Sequence, residues 1–162
     1  MAEVRIFRAG ADRIDELEPL WRALVEHHRD VAEGVGGLNS VEESWRRRRA
    51  QYESWLAGDE AGLVVADRGG RLVGYAMLSL NPPPATWDFG ARVVEIETLS
   101  VLPDERASGI GAGLMRASEE WAREHGAETL GVGLLHTNEG ARRFYEREGF
   151  GLFYLQMVRD LR

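Results

Sequence analysis

The sequence predicts one mixed α/β domain, on three observations. Strand-like and helix-like segments alternate along most of the chain, two strand patterns flank a helix at the spacing of a right-handed βαβ crossover, and 162 residues is the length of one domain, 1–162. Composition agrees, because 44% hydrophobic and 29% charged residues is the profile of a globular chain rather than a disordered or fibrous one. Size scaling gives about 26,000 Å² for the unfolded surface and about 8,000 Å² for the folded one, so a real core can be buried.

Val4 to Ala9 alternates apolar and charged residues and reads as a first strand. From Ile14 the set Leu17, Leu20, Trp21, Leu24, Val25 and His28 recurs at three and four, the stripe of an amphipathic helix. Proline is comfortable only in a first helical turn, so the main helix runs from about Pro19 to Ala32 after a short turn. Gly34 to Gly37 then breaks it into a segment expected to be mobile. Ser40 with Glu43 forms a capping box for a second helix that turns Val41, Trp45, Tyr52, Trp55 and Leu56 inward until Gly58. Its Arg46 to Arg49 run reads as a solvated face balanced by neighbouring Glu.

Leu63 to Ala66 and Leu72 to Leu80 read as strands joined by a tight hairpin at Asp67 to Gly70, and three prolines from Pro82 end the second of them. Val93 to Val101 is a further strand, Gly109 to His125 a helix capped by Gly126, and Leu130 to Leu135 the strand that completes the crossover, parallel to Val93–Val101. Asn138 caps a short helix carrying Ala141, Phe144 and Tyr145 and ended by Gly149, and Phe150 to Val158 supplies one or two final strands.

Several functions are excluded or disfavoured. There is no Cys, hence no disulfide scaffold, thiolate metal site or thiol nucleophile. All 20 basic residues are Arg, so no Schiff-base or Walker-type lysine exists. A net charge of −7 argues against a nucleic-acid-binding surface and mildly favours cationic ligands. No apolar run approaches the roughly 18 residues of a membrane span and the N-terminus lacks a signal-peptide core, so the expected address is cytoplasmic and no membrane partner is expected. No second ligand cluster accompanies the four His, and no metal is assigned.

The chemistry-bearing motif follows the strand Val93–Val101. Arg106-Ala107-Ser108-Gly109-Ile110-Gly111 opens the long helix, where glycines allow close backbone approach and free N–H groups attract phosphate, so a phosphorylated cofactor is expected there. A Rossmann fingerprint fails because Leu114 stands at the third glycine, and a P-loop fails for lack of Gly-Lys-Ser/Thr. The RxxGxG element resembles that of the GNAT N-acetyltransferase superfamily, and so do Leu99-Ser100-Val101-Leu102-Pro103 at the end of the strand and the NxxAxxFYxxxGF run from Asn138 to Phe150.

The resemblance implies a central mixed sheet of six to seven strands, flanked by about four helices and splayed between parallel strands four and five, with acetyl-CoA as acyl donor wedged between them. It implies that Leu99, Ser100 and Val101 meet the pantetheine, that Arg106, Ala107, Ser108, Gly109, Ile110, Gly111 and Ala112 meet the pyrophosphate, and that Asn138 touches the cofactor arm. The implied reaction is acetyl transfer to a primary amine, either a small molecule or a protein N-terminus. The alternatives are the same fold with another acyl-CoA, its chain length set near Leu99 and Leu134, and a catalytically silent acyl-CoA-binding module; a homodimer is also open.

Acyl transfer to an amine needs a base for the ammonium proton and an acid for the departing thiolate. Glu95 and Glu97 lie at i and i+2 on one strand, on one face and roughly 6.6 Å apart, so their charges raise at least one pKa. Glu97 is the first candidate base and Glu95 the alternative. Tyr145 matches the family tyrosine that protonates the thiolate; since neighbours on a helix point about 100° apart, only one of Phe144 and Tyr145 can face the core squarely. His136 reads as structural, and His27 and His28 either line the acceptor site or finish the first helix. The Gly34–Asn39 and Asn81–Gly90 loops, the latter with Trp87, rim the acceptor site.

Overall fold

The computed structural model describes residues 2–34 and 36–162. Its elements are β1 (Val4–Ala9), α1 (Glu18–Val31), α2 (Val41–Leu56), β2 (Ala61–Arg68), β3 (Arg71–Asn81), β4 (Val93–Val101), α3 (Ile110–Glu124), β5 (Thr129–Val132) and α4 (Glu139–Arg147), with 3-10 turns at Ala11–Leu17 and Pro103–Glu105. The strands form one sheet in sequence order, antiparallel from β1 to β4 and parallel between β4 and β5. The β4–α3–β5 crossover thus joins adjacent parallel strands.

α1 and α2 cover one face of the sheet. The apolar stripe of α1 buries Leu20, Trp21 and Val25, that of α2 buries Val41, Trp45 and Tyr52, and Trp21 donates to Ser44 Oγ at 3.1 Å to tie the helices together. Ser40 caps α2 by accepting from the Glu43 N–H. The arginine run stays on the outside, with Arg46 and Arg47 on Glu43 and Arg49 on Asp15 and Glu53, while Arg48 lies 4.7 Å above the Trp21 ring. α3 covers the other face. It comes close because Gly113 meets Ile6 of β1, Gly62 of β2 meets Trp121, and Gly74 of β3 meets Ile110 and Leu114, contacts that an added Cβ would crowd. The β2–β3 turn carries Gly69 and Gly70 at φ 64° and 90°, the left-handed pair that a two-residue hairpin needs.

Two expectations about strands are corrected. The strand expected over Leu130–Leu135 is Thr129–Val132, because β5 leaves β4 after the Ile96–Val132 pair and the chain beyond has no partner to hold it extended. The one or two strands expected over Phe150–Val158 do not form: residues 151–162 have no regular structure and are exposed, so the sheet has five strands rather than six or seven. A strand needs an edge to pair with, and β5, the edge strand on the side of α4, is four residues long. Val35, in the segment expected to be mobile, lies outside the described residues.

Candidate functional site

β4 decides where the site lies. Its pairing with β3 slips between Met77 and Leu78: Met77 faces Thr98 and Leu78 faces Ile96, leaving Glu97 unpaired as a bulge. Cross-strand partners share a face. Ser79 pairs with Glu95, Met77 with Thr98 and Tyr75 with Ser100, so Glu95, Thr98 and Ser100 all face α1 and α2. Glu97, two residues from Glu95, joins them, and its Oε1 accepts from Ser79 Oγ at 2.5 Å. Val94, Ile96, Leu99 and Val101 fall on the α3 face. The bulge therefore brings both carboxylates and the buried Tyr75–Tyr52–Thr98 hydroxyl chain, at 3.1 and 2.6 Å, to the same side of the sheet.

The two carboxylates sit differently. Glu97 is held from the β3 side by Ser79, which also accepts from Asn81 Nδ2 at 2.9 Å. Glu95 leans the other way, over Gly131 of β5, where a Cβ would overlap its Oε2. It makes no hydrogen bond among the described residues; burial first, and then the charge of Glu97, hold its carboxyl above the usual range. A cavity of about 320 Å³ opens beside this rung, walled in part by Trp55, Asp59, Glu60, Ser79 and Asn81, and Ser79 connects it to Glu97 by one hydrogen bond.

Beyond Ile96 the two parallel strands part. β4 continues to Val101 while Gly133 to His136 turn away exposed, leaving the outer edge of Glu97–Val101 without a strand partner. Ser100 commits its side chain to Leu20 O at 3.0 Å, so only its backbone faces this opening. At the base of the opening lies the α3 N-terminus. Gly113 N–H bonds Gly109 O, and the N–H groups of Ile110, Gly111 and Ala112 have no partner among the described residues; no side chain caps them and the first turn holds no acid. The approach is left-handed at Ala107 (φ 60°) and Gly109 (φ 84°), and Arg106 to Gly109 are exposed. Arg106 Nε donates to Val101 O at 3.3 Å, and its guanidinium is in no ion pair among the described residues. These free N–H groups and Arg106 put donors and a positive charge, the chemistry that attracts an anion, at the end of a slot lined by unpaired backbone.

The individual glycines differ from the expectation. Gly109 faces open space, whereas Gly111 faces the Phe144 ring, 3.3 Å from the place its Cβ would take. Gly111 thus sets the α3–α4 approach and offers an anion only its N–H. The Ile110 side chain is core. Asn138 spends its Oδ1 as the α4 cap, accepting from Ala141 N–H at 3.1 Å. Tyr145 is the buried member of its pair, between Phe144 and Phe150, and burial pushes its phenol up to about 12. Its hydroxyl makes no hydrogen bond among the described residues. Thr137 Oγ1, next to Asn138 in the chain, is buried without a partner among the described residues.

Sequence reasoning placed Asn81 on the loop rimming the acceptor site but missed Ser79 and Gly131. The last had a signal, an isolated glycine inside a strand pattern, which marks close approach. His136 is exposed on the loop after β5, and burial, then His27, lowers the His28 pKa at the end of α1; neither bonds the carboxylates or Tyr145 among the described residues. Phe153 packs edge-on against Trp87 and Phe89 of the loop before β4. Among the described residues no group of three or more potential ligands could hold a metal, and no helix is long and apolar enough to cross a membrane.

Known proteins are similar to this chain in sequence and in fold. The sequence model of the Acetyltransferase (GNAT) family matches residues 21–150. An uncharacterized N-acetyltransferase of Archaeoglobus fulgidus is 34% identical over 136 residues, covering 81% of this chain and 84% of that one. A mycothiol acetyltransferase of Acidimicrobium ferrooxidans is 32% identical over 146 residues, covering 90% of this chain but 42% of its own length; the chain spans less than half of the mycothiol acetyltransferases it matches. Among solved structures, a putative acetyl transferase from Pyrococcus furiosus superposes with a TM-score of 0.77 at 27% identity, covering 98% of this chain and all of that one. Aminoglycoside N-acetyltransferase AAC(6')-Iy in complex with CoA shares the fold, with a TM-score of 0.75 at 17% identity and coverage of 99% and 97%. With the parted strands, the uncapped helix and these matches in agreement, the chain belongs to the GNAT acetyltransferase family, whose acyl donor is acetyl-CoA.

Proposed function

We propose that the chain transfers the acetyl group of acetyl-CoA to a primary amine, with Glu95 as the base and Tyr145 as the acid. One arrangement carries this reading: two carboxylates stand on the α1–α2 side where β4 and β5 part, and the free first turn of α3 lies farther along the same opening. The α3 N–H groups and Arg106 bind the pyrophosphate, and the unpaired edge of Leu99 to Val101 holds the pantetheine amides. The acceptor enters from the α1–α2 side, past Ser79 and Asn81.

An ordinary alkylammonium has a pKa near 10.4 and cannot attack while protonated. Glu95 takes that proton, directly or through one water. It is the better base of the two, because the Glu97 carboxyl is already engaged by the Ser79 hydroxyl whereas Glu95 is half-buried, unbonded among the described residues and raised by burial and by the charge of Glu97. The amine nitrogen then bonds the thioester carbonyl carbon, the carbon–sulfur bond breaks, and Tyr145 gives its proton to the departing thiolate; the second proton that the nitrogen sheds on becoming an amide returns through water to the Tyr145 phenolate, and the proton held by Glu95 leaves to solvent. With its phenol pushed up to about 12, Tyr145 is fully protonated at neutral pH. This order reverses the sequence-based preference for Glu97.

The names of the relatives suggest acceptors to try, and the −7 charge with Asp59 and Glu60 beside the cavity favours cationic ones. The test is free-thiol release from acetyl-CoA and from longer acyl-CoAs over a panel of polyamines, aminoglycosides and peptide N-termini. Amine-dependent release supports acetyl transfer; tight acetyl-CoA binding with no release on any amine would leave the silent binding module as the function.

A further inference from the structure

We infer that Asn81 selects the acceptor: its side-chain carbonyl and the free oxygen of Glu97 hold a primary ammonium beside Glu95, so the site takes unsubstituted amines and turns away N-methylated ones. The inference rests on the acetyl transfer proposed above and names the class of amine that it accepts.

The first observation is that the hydrogen bonds around Ser79 run in one direction. Asn81 Nδ2 donates to Ser79 O at 3.2 Å and to Ser79 Oγ at 2.9 Å. A backbone carbonyl only accepts, so the amide nitrogen must face Ser79 and Oδ1 must point away from it. Ser79 Oγ, already an acceptor, has its one hydrogen left for Glu97 Oε1 at 2.5 Å. The side-chain donors of Asn81 and Ser79 are thus spent within the chain. Asn81 Oδ1 and Glu97 Oε2 remain as acceptors that receive no hydrogen bond among the described residues.

The second observation is where these acceptors lie. Ser79 pairs with Glu95 across β3 and β4, and Asn81, two residues on, falls on the same α1–α2 face. Ser79 draws Glu97 to the β3 side, whereas Glu95 leans towards β5 over Gly131. Asn81 Oδ1, Glu97 Oε2 and the Glu95 carboxyl therefore stand around one patch of the sheet. The group that matches three acceptors carries three donors and no acceptor of its own, and a primary ammonium is that group. Ser79 is buried and Asn81, Glu95 and Glu97 are half-buried, so an acceptor left unmatched costs more here than in water. An N-methyl group replaces one of the three donors with apolar surface, which is how a hydrogen-bonding site rejects an analogue.

The arrangement also fits the direction of the transfer. Glu95 takes one ammonium proton on the β5 side, where the strands part and the proposed transfer puts the thioester. The two remaining N–H groups keep the nitrogen on Asn81 and Glu97, and the freed electron pair faces the opening. No proton moves beyond those of the transfer itself. The rest of the acceptor extends into the cavity of about 320 Å³ that Trp55, Ser79 and Asn81 help to wall.

The test compares matched amines on the full chain: putrescine with N,N′-dimethylputrescine, and an alanyl peptide with its N-methylalanyl counterpart. Thiol release should favour the primary amine by about 10²-fold or more in kcat/KM. Asn81→Leu should raise KM for the primary amine by about 10- to 10²-fold, act on KM rather than kcat, and narrow the preference to below about 10-fold. Asn81→Asp loses the same bonds to Ser79 but keeps an acceptor, so it should retain both the low KM and the preference. Calorimetry of putrescine and of the alanyl peptide on the CoA-loaded protein repeats the comparison without turnover, with binding expected in the parent and in Asn81→Asp and lost in Asn81→Leu. If the parent uses primary and N-methylated amines equally, if the two variants lose alike, or if the CoA-loaded parent binds neither amine, Asn81 only fastens the end of β3 and the inference fails. Amine binding with the expected pattern but no thiol release would instead sink the transfer and leave the anchor standing.

Discussion

Replacing Glu97 by glutamine should move the acidic limb of the kcat/KM profile to lower pH without removing it. The two glutamates stand about 6.6 Å apart along β4, and a unit charge at that distance is worth about 0.6 kcal/mol in water and about 2.5 kcal/mol at an effective dielectric of 20. Removing that charge takes away the second of the two causes that hold the Glu95 carboxyl above its usual range, so the limb moves down while the effect of burial stays. Glutamine keeps the acceptor that Ser79 uses, leaving the bulge and acetyl-CoA affinity intact. Glu95→Gln should instead abolish the limb and lower kcat/KM by about 10²- to 10⁴-fold. The assay is thiol release at saturating acetyl-CoA from pH 4.5 to 9. If Glu97→Gln removes the limb and Glu95→Gln only shifts it, the roles are exchanged; if neither changes the profile, β4 supplies no base.

Other outcomes follow from the same geometry. Burial raises the Glu95 pKa, so its favourable contribution is complete below the unfolded value of about 4.5 and is lost as pH rises through the folded one; Glu95→Gln should therefore raise the melting temperature at pH 7 and leave it nearly unchanged at pH 4. Tyr145 is raised from 10.0 to about 12, so its contribution is present below pH 10 and is lost as pH climbs to 12, about 3 kcal/mol in all; denaturant titrations should show this alkaline loss reduced in Tyr145→Phe. The same variant should lose about 10²-fold in kcat with little change in acetyl-CoA Kd, and full activity would return Tyr145 to a packing role. Gly109→Val forces a branched residue to φ 84° and blocks the α3 N–H groups, so calorimetry should show acetyl-CoA binding lost, whereas Gly111→Ala should mainly lower thermal stability by pressing on Phe144.

Local rules made most of the elements readable. The 3.6-residue stripes set α1 and α2, Ser40 and Asn138 cap where expected, and the Asp67–Gly70 turn follows from its two glycines. The glycine-rich helix entry and the parallel crossover were likewise legible, because both depend on residues close in sequence. The bulge also left a trace. Apolar alternation runs Val94, Ile96 and then Leu99, Val101, a slip of one residue that an unbroken strand would not show.

By itself the sequence determined the order of most elements, the absence of thiol and lysine chemistry, the glycine-rich entry to α3 and the family. Tertiary structure alone decided which carboxylate is bonded and which is not, since Ser79 and Gly131 lie 16 residues or more from the glutamates and meet them only across strand pairs. It also decided that Gly111 serves Phe144, and that the C-terminal segment has no edge of its own to pair with. Apolar pattern states that a segment must be buried, but the surface that buries it is fixed by how the rest of the chain is arranged in space.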